Sequence, residues 1–116
     1  MTIRELYQAI GSDFKDVLAR IPNESLIERL VLKYPQEDSY ELLVESMESG
    51  NYEEALTAVH TLKGLSQNLG FTPLGAACSM MNEALKAERY DNIRELYNEV
   101  ITEQKKVVEL IGRIGA

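Results

Sequence analysis

The chain has 116 residues, 45% of them apolar and 27% charged, enough for one domain around a single hydrophobic core. Its formal charge of −7 disfavours nucleic acid, which wants a basic patch, and Lys105-Lys106 is the one basic doublet. No apolar run nears the roughly 20 residues of a membrane span, the start Met1-Thr2-Ile3-Arg4-Glu5 lacks the apolar segment of a signal peptide, and a single cysteine excludes an internal disulfide, so the expectation is a compact acidic cytoplasmic domain.

In chain order, Ile3, Leu6, Tyr7 and Ile10 fall on one helical face, and Phe14, Val17, Leu18 and Ile21 continue the period. Gly11-Ser12-Asp13 interrupts it with a glycine and two good capping residues, which predicts two short helices; one long helix with a tolerated glycine is the alternative. Pro22 ends this segment, Asn23 caps the next, and the stripe Ile27, Leu30, Val31, Tyr34 stops at Pro35. A helix from about Glu37 turns Tyr40, Leu43, Val44 and Met47 inward, its acidic face being solvated surface, and Ser49-Gly50-Asn51 is a turn.

The stretch Glu53 to Phe71 follows, with the only histidine of the chain. At 100° per residue, Ala55, Ala58, Val59, Leu62, Leu65, Ser66 and Leu69 form a core-facing stripe, and His60 points the other way with Leu56, Lys63, Gly64 and Gln67 on its side. Leu56 is apolar where core packing does not need it. A glycine inside a helix costs about 1 kcal/mol relative to alanine, so Gly64 calls for a packing or functional reason. One turn after His60, it removes the side chain that would cover the imidazole, because helical Cα–Cβ bonds tilt toward the N-terminus. Lys63 puts a cation at i+3. The local design is an uncovered nucleophile beside a positive charge.

Gly70 ends this helix as a left-handed cap, and Thr72-Pro73 opens the next as N-cap and N1 proline, which predicts an antiparallel helical hairpin. Leu74, Ala77, Cys78, Met81 and Leu85 are its core stripe, Cys78 reads as a small core hydrophobe, and Met80-Met81 as periphery plus core. With the turn centred near Phe71, His60 lies level with Asn82, on a flank shared with Gly75, Ser79 and Lys86. Asn82 then holds one imidazole nitrogen, or is an ordinary surface asparagine. The last helix, from about Asp91, repeats its pattern through Ile93, Tyr97, Val100, Gln104, Val107 and Ile111, and Gly112 and Gly115 let it fray. The fold class expected is all-α, an antiparallel four-helix bundle with additional short N-terminal helices.

His60-Thr61-Leu62-Lys63-Gly64 followed by Leu69-Gly70 resembles the H-x-x-K-G-x-x-x-x-x-G signature of histidine phosphotransfer (HPt) domains. Ile10-Gly11-Ser12-Asp13, Asn23-Glu24-Ser25-Leu26, the acidic helix before Ser49-Gly50-Asn51-Tyr52, and Thr72-Pro73-Leu74 are also similar to bacterial members, so the resemblance covers most of the chain and implies one HPt domain over 1–116. Leu65 departs from it, since many members carry serine, alanine or glycine there. The resemblance implies that His60 accepts a phosphoryl group from a receiver-domain aspartate and returns it to another receiver. Response-regulator receivers and a hybrid sensor kinase are the partners it implies for a monomeric carrier, with Mg²⁺ belonging to the receiver and no cofactor or metal of the chain's own. Lys63 and Gly64 join His60 as site residues, Gln67 and Asn82 support it, and Leu56, Ser79 and Lys86 dock the partner.

The residues agree with that chemistry. A neutral imidazole nitrogen is a competent nucleophile, and Lys63 offsets part of the phosphoryl charge. No G-x-x-x-x-G-K-[ST] loop or G-x-G-x-x-G segment is present, so the chain is expected to be a carrier and not an ATP-dependent enzyme. Di-iron bundles need paired Glu-x-x-His motifs, and Thr57 stands three before the only histidine. No nucleophile–base–carboxylate set proposes a hydrolase. The remaining alternative is a helical adaptor that docks on receivers without transferring phosphate.

Overall fold

The structure, a computed structural model, describes residues 1–115, so Ala116, the last residue of the expected domain, lies outside the described residues. Helices run over Ile3–Ala9 (α1), Phe14–Arg20 (α2), Glu24–Lys33 (α3), Ser39–Glu48 (α4), Tyr52–Asn68 (α5), Thr72–Lys86 (α6) and Ile93–Ile111 (α7), with a 3₁₀ turn at Tyr34–Gln36. Among the described residues there is no strand.

Side-chain caps set several of these boundaries. Thr2 and Glu5 form a reciprocal capping box on α1, and the side chains of Asp13, Asn23 and Asn51 accept backbone N–H groups at the starts of α2, α3 and α5. Gly11 has a φ of 74°, so the chain breaks into two helices where Gly11-Ser12-Asp13 predicts a break. Three boundaries differ from the sequence reading. α3 ends before Pro35 as read, but the chain goes on through a 3₁₀ turn that holds Pro35, where a missing N–H costs nothing, so α4 starts at Ser39 and not at about Glu37. Thr72 is not the N-cap of α6: Phe71 holds that position, and the Thr72 N–H donates to Ser12 Oγ at 3.1 Å. Nor do the terminal glycines leave the end loose, since Met1 N donates to Arg113 O and the Gly115 N–H to Met1 O, each at 3.2 Å.

The short turns at Ser49–Asn51 and Leu69–Phe71 make α4, α5 and α6 an antiparallel series, and α7 packs on α6. The buried residues of α4 (Leu43, Met47) and α7 (Ile93, Tyr97, Val100, Val107, Ile111) belong to the same core, so the first and last helices of the series bury their faces together. The apolar stripes meet in this core. Ile27, Val31, Leu43, Val59, Leu62, Leu74, Met81 and Val100 are fully buried, and the core extends without interruption from Ile3 to Ile111. Each such side chain contributes about 1.5–3 kcal/mol by leaving water, and Leu62→Ala would cost about 2–5 kcal/mol. Tyr40, Val44 and Leu65 are half-buried at the edge of this core.

The N-terminal helices fasten onto the α5–α6 turn. The Tyr7 hydroxyl donates to Leu69 O, and Arg20 Nη2 donates to Gln67 O and Asn68 O at 3.0 and 3.1 Å. The Gly70 N–H bonds Gln67 O and the Phe71 N–H bonds Ser66 O, closing the end of α5 as a Schellman motif. The last carbonyls of α5, which have no partner within the helix, are thus met by a phenol, a guanidinium and two backbone donors. The guanidinium also complements the negative end of the helix dipole.

Candidate functional site

α5 is built to show one side of its middle turns. Asn51 caps it, and Glu53 and Glu54 place negative charge against the positive end of its dipole. Its buried stripe of Ala55, Ala58, Val59, Leu62 and Ser66 turns one side of the helix into the core and leaves the other outward. His60 and Gly64 are consequently exposed, and Lys63 is half-buried at the margin. A Cβ built on Gly64 meets nothing within 4 Å. No internal packing therefore demands glycine there.

His60 lines a cleft of ≈ 300 Å³ between α5 and α6, together with Leu56, Thr57, Thr61, Asn82 and Lys86. The hairpin register predicted His60 level with Asn82, and the two share this cleft. Asn82 is not a surface asparagine. It is only 4% exposed, and its Oδ1 is, among the described residues, the buried side-chain polar atom with no hydrogen-bond partner. An unpaired buried acceptor costs about 1–3 kcal/mol, so in a folded protein it calls for an explanation. Among the described residues lining the cleft, Lys86 carries the one formal charge, and it is positive.

Other expected site residues are distributed differently. Gln67 and Ser79 do not line the His60 cleft but border a separate depression of ≈ 360 Å³ with Asp13, Asp16 and Arg20. Gly75 lies between them on α6: a Cβ there would come within 3.3 Å of Gln67 Cγ, so glycine sets the approach of the two helices at that level. Leu56 both lines the cleft and packs, half-buried, against the core, which corrects the view that packing does not use it. Thr57 and Thr61 escaped the sequence reading although the helical wheel puts them beside His60; their hydroxyls bond back to Glu53 O and Thr57 O and leave the imidazole uncovered. Cys78 is buried, and burial pushes its thiol up to about 12, with the neighbouring Ser66 hydroxyl lowering it in part, so it stays protonated and unreactive. Among the described residues no three His, Cys, Asp or Glu side chains converge as metal ligands would, and no helix is long and apolar enough to cross a membrane.

A family model described as Hpt domain matches residues 24–111, well over half of the chain. The chain belongs to the Hpt domain family. Hpt domains are phosphocarriers of phosphorelay, two-component signalling, not enzymes in their own right, and they interact with response-regulator receiver domains. No curated protein and no solved structure matches this Hpt domain. The match starts at α3, so α1 and α2, which hold the end of α5, lie outside the matched residues.

Proposed function

We propose that His60 is the phosphorylation site of a phosphorelay carrier, taking its phosphoryl group from the aspartyl phosphate of a receiver and delivering it to the aspartate of a second one. The observation that carries this reading is the exposed His60 in one cleft with the buried, unpaired Asn82 Oδ1 and the Lys86 ammonium. In the reacting complex one imidazole nitrogen keeps its hydrogen and turns it toward Asn82 Oδ1, which has no partner in the chain alone, and this bond fixes the tautomer. The other attacks phosphorus: an N–P bond forms, the acyl P–O bond breaks, and the receiver's aspartate leaves as a carboxylate. The return step reverses these bonds. Lys86 from the cleft and Lys63, three residues after His60 on α5, face the phosphoryl oxygens and offset their charge. Gly64 leaves room for the receiver to approach, with Leu56, Gln67 and Ser79 at the contact. The Mg²⁺ of the transfer belongs to the receiver, and a hybrid sensor kinase supplies the donor receiver to a cytoplasmic monomer.

The test is incubation with a panel of receivers carrying labelled aspartyl phosphate. Acid-labile label should appear on the wild-type chain, be absent from His60→Gln, and form more slowly on Asn82→Ala. Receiver binding without any label on the wild-type chain would identify a docking adaptor and end the carrier reading. Label on His60→Gln would end the site assignment.

A further inference from the structure

α6 has a second outward side, turned away from His60. Pro73, Ala76, Ala77, Met80 and Leu96 floor a groove of ≈ 450 Å³ between α6 and α7. Met80 and Leu96 also line a second cleft of ≈ 270 Å³ that continues past Ala84. Met80 forms the ridge between the two and is 59% exposed, more than any other large hydrophobic among the described residues. From Pro73 to Ala84 the groove follows α6 for ~17 Å, at a rise of ~1.5 Å per residue.

The charge along this groove is one-sided. Glu95, Glu99 and Glu103 stand at i, i+4 and i+8 on α7 and form one wall, and Glu83 and Asp91 extend it at the far end, where Arg89 is the single cation lining either cleft among the described residues. Glu103 has Lys106 at 3.6 Å, whereas Glu95 and Glu99 form no ion pair among the described residues. Like charges one turn apart destabilise a helix; the dipole offsets this for Glu95 in the first turn of α7 and Lys106 does so for Glu103, which leaves Glu99 in the middle of the row with neither.

We infer that this groove is a docking site for a cationic amphipathic helix of another protein, separate from the His60 face. A helix lays its apolar side on Met80 and fills the clefts on either side of it, while its lysines or arginines meet the Glu95–Glu99–Glu103 row; helix-in-groove recognition needs those two features together. Charge decides against the other occupants. A second copy would bring the same carboxylates and a further net charge of −7, and an anionic lipid surface would be repelled by the same wall. Because the groove and the His60 cleft lie on opposite flanks of α6, a partner seated here leaves the imidazole open.

The probe is a fluorescent amphipathic peptide of leucine, alanine and lysine, roughly three helical turns long, compared with a scrambled peptide of the same composition. Binding to the wild-type chain should weaken with added salt, and the scrambled peptide should bind at least about tenfold more weakly. Met80→Asp and the double variant Glu95→Gln/Glu99→Gln should each weaken binding at least about tenfold, while Leu42→Asp, at an exposed leucine on α4, should not change it. Circular dichroism verifies that each variant is folded. Equal binding of the scrambled peptide, or binding indifferent to Met80→Asp, would overturn the inference. Self-association of the wild-type chain that Met80→Asp abolishes would overturn it too, by assigning the groove to a second copy. None of these readings depends on phosphotransfer.

Discussion

At the end of α5 a side chain has nowhere to go. A Cβ on Gly70 would lie 2.3 Å from Val17 Cγ2, and the φ of +73° is one that other residues avoid. In the middle of the same helix, beside His60, a Cβ on Gly64 would meet open space. The fold requires the first glycine and only tolerates the second, at a loss of helix stability. One region is over-determined, with Tyr7, Ser12, Val17 and Arg20 all pressing on the turn. The other is cleared of side chains at the residue proposed to react. A mid-helix glycine that contacts nothing directs attention outside the chain, to whatever must come close.

The largest effect should come from the open region. His60→Gln should remove phosphoryl acceptance completely and leave the melting curve unchanged, because the imidazole is exposed and packs no core. Acid-labile labelling and thermal melts on the same preparation give both readings. The turn should behave in the opposite way. Gly70→Ala forces a left-handed residue, about 1–2 kcal/mol, and crowds Val17, about 1–3 kcal/mol, for a total of about 2–5 kcal/mol. Denaturant unfolding measures that loss, and transfer per folded molecule should persist. If Gly70→Ala were as stable as wild type, the contrast between the two glycines would collapse.

Leu56 stands between the regions. Half-buried, it should cost about 1–2 kcal/mol of stability when cut to alanine, less than the roughly 2–5 kcal/mol of a core leucine, and it should weaken receiver binding by about 1–2 kcal/mol. Calorimetry against a receiver separates the two losses.

Alkali probes the buried side of the same hairpin. Burial holds the Cys78 thiol at about 12 in the folded chain against 9.0 in a free thiol. A raised pKa means that its stabilisation is complete below pH 9 and fades as the pH climbs toward 12, by up to about 1.4 kcal/mol per unit. Tyr7 and Tyr34 are raised by burial as well and add to the loss from about pH 10. Melts across this range should show Cys78→Ala beginning its decline roughly one unit later than wild type. The smallest effect returns to the open glycine. Gly64→Ala should stabilise by up to about 1 kcal/mol, and Gly64→Gln should keep the fold but slow transfer. Wild-type transfer rates in Gly64→Gln would mean that clearance is not the reason for the glycine.

Most of the bundle was legible because burial on a helix is periodic. Ile93, Tyr97, Val100, Gln104, Val107 and Ile111 were read as one stripe, and all are buried. The turn register was legible too, since it needs only the chain's reversal near Phe71, and it put His60 and Asn82 together. The burial of Asn82 was not, because an amide on a helix flank looks solvated until the neighbouring helix covers it. The clamp of Tyr7 and Arg20 left no signal at all. Each reaches backbone carbonyls far along the chain, and a carbonyl has no identity in a sequence. That Gln67 and Ser79 border a separate hollow was hidden for a related reason: a wheel gives angle around a helix but not which hollow a neighbouring helix divides off.

The hairpin that carries the proposed site, Tyr52 to Lys86, is a single unbroken stretch whose two arms are joined by a tight turn. Closing so short a loop costs little chain entropy, so its arms can meet before the distant N-terminal helices arrive. α5 and α6 should therefore gain hydrogen-exchange protection first in a refolding experiment, with the Thr72 N–H, which donates to Ser12 Oγ, protected later, once the N-terminal helices have docked. The reactive face would then exist in outline before the fold around it is finished, and the last event in folding would be the locking of its far end.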